Sequence, residues 1–235
     1  MVVKSYKAVS CPHCQGIKVV CNGIKKSGRQ NLLCRSCGKQ FQAHYAYKGS
    51  IAKNKEVVLK MLCRGSGVRD CTAVTGVSKV TVLRWIKGLA SGLILKPAKR
   101  RYRQVQIDEQ WSYVGKKEKK VWMIYAYAAE EDEILAFTMG KRSADAVRNL
   151  FVKLKALEVD LFLTDQWEAF AAVLPKAKHW IGKQYTKAVE GVNTFFRTRV
   201  RRLMRRTVCF SKKLIYHYSM IKIIICYRNL NLSYI

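Results

Sequence analysis

Three carboxylates stand at positions from which they could bind metal ions together. Asp108 in VQIDEQW and Asp165 in LFLTDQW each close an apolar, strand-like run, and Glu190 in TKAVEGVN lies in a segment with helical periodicity. Carboxylate oxygens suit Mg²⁺ or Mn²⁺, and two such ions can stabilise the attacking and leaving oxygens of a phosphoryl displacement. The three residues therefore predict a site for two divalent cations that acts on phosphodiesters.

Each of these carboxylates also has an ordinary structural interpretation. Asp108 would fit a turn, Asp165 would fit the N-cap of a helix over 166–173, and Glu190 would fit a solvated helix position. The placement of two of them at strand ends, each with a Trp two or three residues later, favours the joint interpretation as a metal site.

Glu109 competes with Asp108 for the first position because it is the next residue in the chain. Side chains alternate between the two faces of a strand, so Asp108 shares a face with Gln106 and Gln110. Glu109 falls on the opposite face, and we expect this to aim it away from the metal ions.

The charge distribution indicates that the partner is a polyanion. The chain has 45 Lys and Arg residues against 15 Asp and Glu, which gives a net charge of +30. Residues 1–103 carry +20 and residues 191–235 contain no acidic residue, whereas residues 104–190 hold equal numbers of both signs. A neutral centre between cationic flanks is typical of a nucleic-acid-binding protein with a catalytic insert. A solvated basic surface, as in ribosomal and other RNA-binding proteins, is the alternative, because charge does not distinguish DNA from RNA.

Four cysteines near the N-terminus have the spacing of a zinc site. Cys11 and Cys14 form one CxxC pair, Cys34 and Cys37 form a second, and nineteen residues separate the pairs. Two such pairs present four thiolates to one tetrahedral Zn²⁺. The segment between them has the pattern of two short strands around a polar turn, so residues 1–48 are predicted to form a zinc ribbon with one structural Zn²⁺.

Residues 49–92 have the pattern of three helices. Apolar residues recur with helical spacing in 53–63, a short helix is expected over 68–74, and Ser78 is suited to cap a third helix. This order predicts a helix-turn-helix DNA-binding domain, although a plain three-helix packing unit would have the same pattern. A basic linker over 93–103 follows.

The third of these helices carries the residues expected to read DNA. Its apolar positions predict a buried face, and the positions between them point outward, where a recognition helix meets base edges in the major groove. The candidate DNA-binding residues of this helix are Ser78, Lys79, Thr81 and Arg84. Arg201 and Arg202, in a basic run near the C-terminus, are candidate phosphate contacts.

Residues 104–235 are predicted to form an α/β catalytic domain with basic C-terminal helices. Three strands, a helix, a strand, a helix, a fifth strand and a long helix over 187–206 follow one another, with turns expected at 116–120 and 130–133. This element order matches a ribonuclease H-like fold, in which a mixed five-stranded sheet is covered by helices.

That order also predicts how the carboxylates meet. The first strand would be central and parallel to the fourth, because a helical crossover precedes the fourth. Asp108 and Asp165 would then lie side by side at one end of the sheet, and the long helix could place Glu190 across them.

In these segments the chain resembles the transposases of the insertion-sequence-one family, a branch of the DDE transposases. The strings similar to that family's catalytic region are DEQWSYVGKK at 108–117, VWMIYAYA at 121–128, TDQW at 164–167, KQYTKAVE at 183–190 and FSKK at 210–213. The paired CxxC motifs and the helices after them are similar to the family's end-binding region. The resemblance therefore covers nearly the whole chain.

Carried over residue by residue, the resemblance implies a catalytic triad of Asp108, Asp165 and Glu190. It also implies a catalytic role for Arg197, which matches the family's basic residue seven positions after the glutamate and lies on the same helix face. The implied function is a metal-dependent DNA transposase, which binds the terminal inverted repeats of an insertion sequence, cleaves the strands and transfers them. Double-stranded DNA, as element ends and as target, is the expected partner, and a homo-oligomer is expected to form on it.

Other expectations concern location and the competing functions. No apolar run reaches the roughly 20 residues of a membrane span, and MVVKSYKAVS lacks the apolar core of a signal peptide. We therefore expect a cytoplasmic, nucleoid-associated bacterial protein without a membrane partner. The competing functions are a DNA-binding regulator that uses only the N-terminal third, beside a decayed catalytic domain, and an RNA-binding protein.

Overall fold

The computed structural model describes residues 9–42, 47–204 and 209–230. The chain divides into two compact units, Met1–Ile51 (unit one) and Ala52–Ile235 (unit two). None of the described helices combines the length and the apolar run that a membrane crossing needs.

Unit one is a small antiparallel sheet. Its strands are β1 (Val19–Ile24), β2 (Gln30–Cys34) and β3 (Gln40–Phe41), in that order across the sheet. Between β1 and β2 the chain turns at Gly28, whose φ of 73° suits glycine because that residue has no Cβ. Leu32 and Phe41 are buried together with two of the cysteines. The two strands and the turn predicted between the CxxC pairs are thus confirmed.

Unit two begins with three helices close to their predicted positions. They are α1 (Ala52–Cys63), α2 (Val68–Thr75) and α3 (Lys79–Gly92). Gly76 ends α2 in a left-handed conformation, and its N–H donates to Thr72 O at 2.8 Å. Ser78 caps α3, because its side chain accepts a hydrogen bond from the Thr81 N–H at 3.3 Å.

A mixed sheet of five strands forms the centre of unit two, as predicted. Its strands are β4 (Arg101–Val114), β5 (Lys116–Ala128), β6 (Glu133–Gly140), β7 (Glu158–Thr164) and β8 (His179–Ile181). The order across the sheet is β6-β5-β4-β7-β8. The pairs β4–β5 and β5–β6 are antiparallel, whereas β4–β7 and β7–β8 are parallel. The first strand is therefore central and lies beside the fourth.

Helices cover both faces of this sheet. They are α4 (Ala144–Leu154), α5 (Glu168–Val173), α6 (Lys187–Arg199) and α7 (Leu214–Asn229). Helices α4 and α5 pack on the face where Val105 and Ile107 of β4 are buried. Helices α6 and α7 pack with α1–α3 on the other face, against residues such as Met123 and Tyr125 of β5. Because β4 alternates between these layers, neighbouring residues on it meet different helices.

One predicted turn is wrong. Residues 116–120 were expected to be a turn, but they form the start of β5, and the chain reverses at Gly115, whose φ is 80°. The Gly115 N–H donates to Ser211 O at 2.8 Å, which ties the hairpin to the segment before α7. Val114 pairs with Lys116 but Tyr113 pairs with Lys120, so the register of the hairpin shifts within this lysine-rich segment.

The long helix predicted over 187–206 is shorter than expected. Helix α6 ends at Arg199, and a 3-10 turn over Arg201–Leu203 follows. The rest of the predicted helix, at 205–206, lies outside the described residues.

Candidate functional site

The four cysteines of the paired CxxC motifs form one cluster in unit one. The Sγ atoms of Cys11 and Cys37 are 3.7 Å apart, and those of Cys14 and Cys34 are 3.6 Å apart. One Sγ from each residue lies within 4.8 Å of all the others. Four sulfurs bound tetrahedrally to Zn²⁺ at about 2.3 Å would be separated by about 3.8 Å, so the observed spacing fits a zinc ion.

Backbone turns hold these sulfurs in place. The Gln15 N–H donates to Cys11 O at 2.8 Å, and the Gly38 N–H donates to Cys34 O at 2.9 Å. Each pair of cysteines therefore lies on one tight turn, and the antiparallel pairing of β1 with β2 brings the turns together. The sulfur separations are far longer than the roughly 2.05 Å of a disulfide, and all four thiols are free.

Asp108 and Asp165 meet at one edge of the large sheet because of the strand register. In the parallel pair β4–β7, Gln106 is opposite Leu163. Two residues further along, Asp108 and Asp165 are therefore neighbours, just where β7 ends at Thr164. Their carboxylate oxygens lie within 4.8 Å of each other. The expected juxtaposition of these two carboxylates is present.

Backbone and amide donors orient both carboxylates. Asp108 Oδ2 accepts a hydrogen bond from Asn193 Nδ2 on α6 at 2.6 Å, and Oδ1 accepts one from the Glu109 N–H at 2.8 Å. Asp165 Oδ1 accepts one from the Trp167 N–H at 3.1 Å. The N-cap role considered for Asp165 is wrong, because α5 begins at Glu168 with Trp167 as its N-cap and without a side-chain cap hydrogen bond.

Alternation along β4 is confirmed on the helix α6 face. Gln106 Oε1 accepts a hydrogen bond from the Val189 N–H, and Gln110 Nε2 donates to Asn193 O. Asp108, between them in alternation, also contacts Asn193, so these three side chains face α6.

Glu109 lies on the opposite face, but it is not remote from the other carboxylates. One of its oxygens lies within 4.8 Å of oxygens of Asp108 and Asp165, which forms a group of three that we call the carboxylate cluster. The expectation that Glu109 is aimed away from the metal site is therefore wrong. Within the described residues, β7 ends at Thr164, before the position opposite Glu109, so the Glu109 side chain can approach Asp165 past the end of that strand.

Glu109 is held by an arginine that sequence analysis did not single out. Arg142 Nε donates to Glu109 Oε1 at 3.0 Å, and Arg142 Nη2 donates to the same oxygen. The guanidinium carbon lies 4.3 Å from the ring centroid of Trp167 and 5.2 Å from that of Trp122. Of the two Trp residues that follow the strand-end carboxylates, Trp167 contacts Arg142, whereas the second ring near this guanidinium belongs to Trp122 of β5.

Glu190 does not join the carboxylate cluster. It is an exposed residue in the first turn of α6, and among the described residues only Asp108, Glu109 and Asp165 form an acidic group of this kind. Glu190 is three residues before Asn193, which contacts Asp108, so the two lie on neighbouring positions of one helix face. Its helix is thus in place, but its carboxylate is not beside the other two.

The electrostatics of the cluster favour a cation. Burial raises the pKa of Asp108, the hydrogen bond from Asn193 opposes this shift, and the nearby Asp165 adds to it. The charge of Arg197 also acts on Asp108 and lowers its pKa. Burial likewise raises the pKa of Glu109, and Arg142 opposes that shift. Buried carboxylates that repel one another are stabilised by a nearby positive charge.

The candidate DNA-binding residues of α3 divide into two groups. Ser78, Lys79 and Arg84 are exposed. Thr81 is 4% exposed and its hydroxyl lies 3.0 Å from the Ser78 hydroxyl, so its predicted outward position is wrong. The buried stripe of α3 is wider than its apolar residues suggested, because Thr81 packs at the cap beside Val82.

The two basic residues expected to bind phosphates also differ. Arg201 is exposed and forms an ion pair with Asp70 at 3.8 Å. Arg202 is only half exposed, and burial lowers its pKa. Arg201 is thus the more accessible of the two, and the phosphate contacts expected of both residues stay predictions.

Comparison with known proteins gives a family match over the second half of the chain. The family model described as IS1 transposase matches residues 104–231. This range contains the whole five-stranded sheet except the first three residues of β4, together with α4–α7.

Individual relatives agree with that match. Insertion element iso-IS1n protein InsB of Shigella dysenteriae is 38% identical over 112 residues, which are 48% of this chain and 86% of that protein. Insertion element IS1 protein InsB of Shigella flexneri is 35% identical over 50% of this chain and 94% of its own length. Insertion element IS1 9 protein InsB of Escherichia coli (strain K12) is 34% identical over 50% of this chain and 74% of its own length.

One solved structure is also similar, at a lower level. A chain of the simian T-cell lymphotropic virus intasome in complex with PP2A regulatory subunit B56 gamma matches with a TM-score of 0.36 and 9% identity. The match covers 71% of this chain and 64% of that chain. This similarity is too weak to assign the fold.

Proposed function

The chain belongs to the IS1 transposase family, and we propose that it binds the ends of an insertion sequence and carries out metal-dependent strand cleavage and strand transfer. The observation that carries this proposal is the meeting of Asp108 and Asp165 at the carboxyl edge of the parallel pair β4–β7. The sheet order and the position of these residues support a ribonuclease H-like catalytic domain over 104–235.

The residues of the carboxylate cluster fit a hard divalent cation. All of the ligand atoms are carboxylate oxygens, which Mg²⁺ and Mn²⁺ prefer. Glu109 Oε2 is buried and accepts no hydrogen bond among the described residues, so the cluster contains an oxygen without a partner. Asp108 and Asp165, with Glu190 from α6, would hold two such ions. When bound, these ions would stabilise the attacking and leaving oxygens of an in-line displacement.

The proposed reaction has two displacements at phosphorus. In the first, a water oxygen attacks the phosphorus, the bond to the 3′ oxygen breaks, and that oxygen takes up a proton to become a 3′-hydroxyl. In the second, this hydroxyl loses its proton as it attacks a phosphodiester of target DNA, whose own 3′ oxygen leaves. No Ser, Cys or Tyr nucleophile is required by either step.

The protein's own groups prepare the site before substrate arrives. Asn193 and the Glu109 N–H fix the two oxygens of Asp108, and the Trp167 N–H fixes Asp165. Each of these oxygens keeps a lone pair for a cation after accepting one hydrogen bond. Arg197, whose charge reaches Asp108, is suited to stabilise phosphate charge in the transition state.

DNA recognition is proposed for the N-terminal part of the chain. Residues 49–92 would act as a helix-turn-helix domain, with Ser78, Lys79 and Arg84 at the exposed start of α3 against DNA. The cysteine cluster would hold one structural Zn²⁺ and so stabilise residues 1–48. Residues 93–103 would form the linker between the three helices and the catalytic domain. Arg201 would contact the DNA backbone. Because an element has two ends, we propose that at least two copies of the chain act together.

Strand cleavage by variants of the cluster tests this function. Asp108→Asn and Asp165→Asn should each reduce Mg²⁺-dependent cleavage of a labelled element end by about a hundredfold or more, because each loses the charge that a cation needs. Binding of the element end should stay close to that of the parent.

Asp145→Asn is the matched control. Asp145 is an exposed residue of α4 that pairs only with Arg148 among the described residues, so this variant should cleave like the parent. Equal cleavage by all four proteins would overturn the proposed site. Tight end binding without any cleavage by the parent would instead support a regulator.

A further inference from the structure

The two carboxylate oxygens of Glu109 differ in the hydrogen bonds that they accept. Its side chain is 7% exposed, so it is more than nine-tenths buried. Oε1 accepts two hydrogen bonds from Arg142, which occupy both of its lone pairs. Oε2 is buried and has no hydrogen-bond partner among the described residues. A buried charged oxygen without a partner is costly, so this arrangement indicates that Oε2 serves a ligand.

Oε2, the oxygen without a hydrogen bond, belongs to a residue of the carboxylate cluster. Glu109 offers an oxygen within 4.8 Å of oxygens of both Asp108 and Asp165. Since both lone pairs of Oε1 are used by Arg142, the remaining capacity to bind a cation lies on Oε2. The ligand that fits an oxygen beside two further carboxylates is a divalent cation rather than an anion or a hydrogen-bond acceptor.

Contacts with two Trp rings fix the position of the Arg142 guanidinium. Its guanidinium lies near the rings of Trp167 and Trp122, at 4.3 and 5.2 Å from their centroids. Trp167 is tied to the cluster because its N–H donates to Asp165 Oδ1. A continuous set of contacts thus runs from Asp165 through Trp167 and Arg142 to Glu109. This set fixes the orientation of the Glu109 carboxylate relative to Asp165.

We propose that Glu109 is a further protein ligand of the divalent cation site, through Oε2, in addition to Asp108, Asp165 and Glu190, and that Arg142 is a positioning residue that orients it. This inference rests on the proposed function, because it concerns the same cations. It reverses the role expected from strand alternation alone. A planar guanidinium that binds one carboxylate oxygen and stacks on indole rings leaves the other oxygen free and directed. Lysine could not reproduce this geometry.

Metal binding by the purified full-length chain without DNA tests the proposal. Mn²⁺ is titrated, and the free ion is followed by electron paramagnetic resonance. Glu109→Gln should weaken Mn²⁺ binding by about tenfold or more, because it removes the charge of a ligand oxygen. Glu168→Gln is the matched control, since Glu168 is exposed in the first turn of α5 and lies outside the cluster. It should bind Mn²⁺ like the parent.

A double-variant cycle tests the role of Arg142. Arg142→Gln should weaken Mn²⁺ binding by about tenfold in the parent, as loss of an orienting partner does. In the Glu109→Gln background it should have no further effect, because Arg142 acts only through Glu109. A general loss of structure would instead add to the effect of Glu109→Gln.

The outcomes separate this proposal from the function on which it rests. Parent-like Mn²⁺ affinity in Glu109→Gln, with weakened binding in Asp108→Asn, would overturn the role of Glu109 and leave the proposed function standing. Parent-like affinity in both variants would refute the metal site itself. Weakened binding in Glu168→Gln would show a mere effect of net charge and would also overturn the proposal. If Glu109→Gln did not fold, Glu109→Asp would replace it, and its shorter carboxylate should also weaken binding.

Discussion

The two clusters that can hold metal ions are built in opposite ways. In unit one, four sulfurs come from two short turns, and two β-strands bring the turns together. In unit two, Asp108 and Asp165 are 57 positions apart in the sequence and meet only because β4 and β7 pair in parallel with one register. The first cluster depends on local structure, and the second depends on the fold of the whole unit.

The two clusters also differ in what they leave open. Four thiolates complete a tetrahedral zinc site, so the cysteine cluster has no position for a substrate. The carboxylate cluster offers three oxygens within 4.8 Å, fewer than the six that Mg²⁺ takes. The remaining positions are available for water and phosphate oxygens. The cysteine cluster is therefore suited to a structural ion, and the carboxylate cluster is suited to ions that take part in a reaction.

The largest effect is expected when one thiolate of the cysteine cluster is removed. Cys34→Ser should lose zinc and leave residues 9–42 unfolded, because zinc binding supplies folding free energy of about 10–16 kcal/mol in small zinc domains. Zinc content by elemental analysis and amide dispersion in an NMR spectrum of the purified chain measure the two losses. Cys21→Ser is the control, since Cys21 is exposed and outside the cluster. A folded, zinc-free Cys34→Ser protein would contradict the structural role.

The second prediction tests whether Glu190 of α6 completes the carboxylate cluster. Glu190→Gln should reduce Mg²⁺-dependent cleavage of an element end by about a hundredfold or more, as a lost metal-binding charge does. The same variant should change Mn²⁺ affinity without DNA by no more than about twofold, because an exposed residue outside the cluster has little effect. Weakened Mn²⁺ binding without DNA would show that Glu190 already joins the cluster in the free protein. Full cleavage would remove Glu190 from the site.

The same contrast explains how much could be predicted from the sequence. The cysteine cluster followed from spacing alone, because a CxxC turn fixes its two sulfurs without help from the rest of the chain. The five-stranded sheet, its parallel pair and the meeting of Asp108 with Asp165 followed from the order of strands and helices. These features depend on periodicity and on connection rules, which a sequence displays.

The errors have physical causes that the sequence does not display. Alternation gave the correct face for Glu109, but it could not show that β7 ends beside it and that Arg142 turns its carboxylate into the cluster. Thr81 was assigned outward from helical phase, yet its hydroxyl packs against the cap at Ser78. The Glu109 error arises from a tertiary contact and the Thr81 error from local cap geometry, and neither follows from strand alternation or helical phase alone.

The smallest expected effect is a loss of stability in acid, which we expect in unit two because of His217. His217 on α7 is fully buried, Nδ1 lies 3.3 Å from the Ser211 hydroxyl, and Nε2 has no partner among the described residues. Burial, with a smaller contribution from the Arg202 charge, lowers the pKa of His217 from 6.5 to about 4. The folded state therefore holds neutral His217 at a pH where the unfolded chain binds a proton.

The sign of the resulting pH dependence follows from proton binding. Above pH 6.5 the histidine is neutral in both states and its contribution to stability is fully present. As pH falls from 6.5 to about 4 the unfolded state takes up the proton first, so up to about 3 kcal/mol of the unfolding free energy is lost.

All five Trp residues lie in unit two, so urea unfolding followed by Trp fluorescence reports this unit selectively. His217→Asn, which does not titrate, should be less sensitive to acid over this range than the parent, whatever its stability at pH 7. His13→Asn, at an exposed position of unit one, should keep the acid sensitivity of the parent. Equal acid sensitivity in the parent and His217→Asn would show that this histidine is not the group that couples unit two to pH.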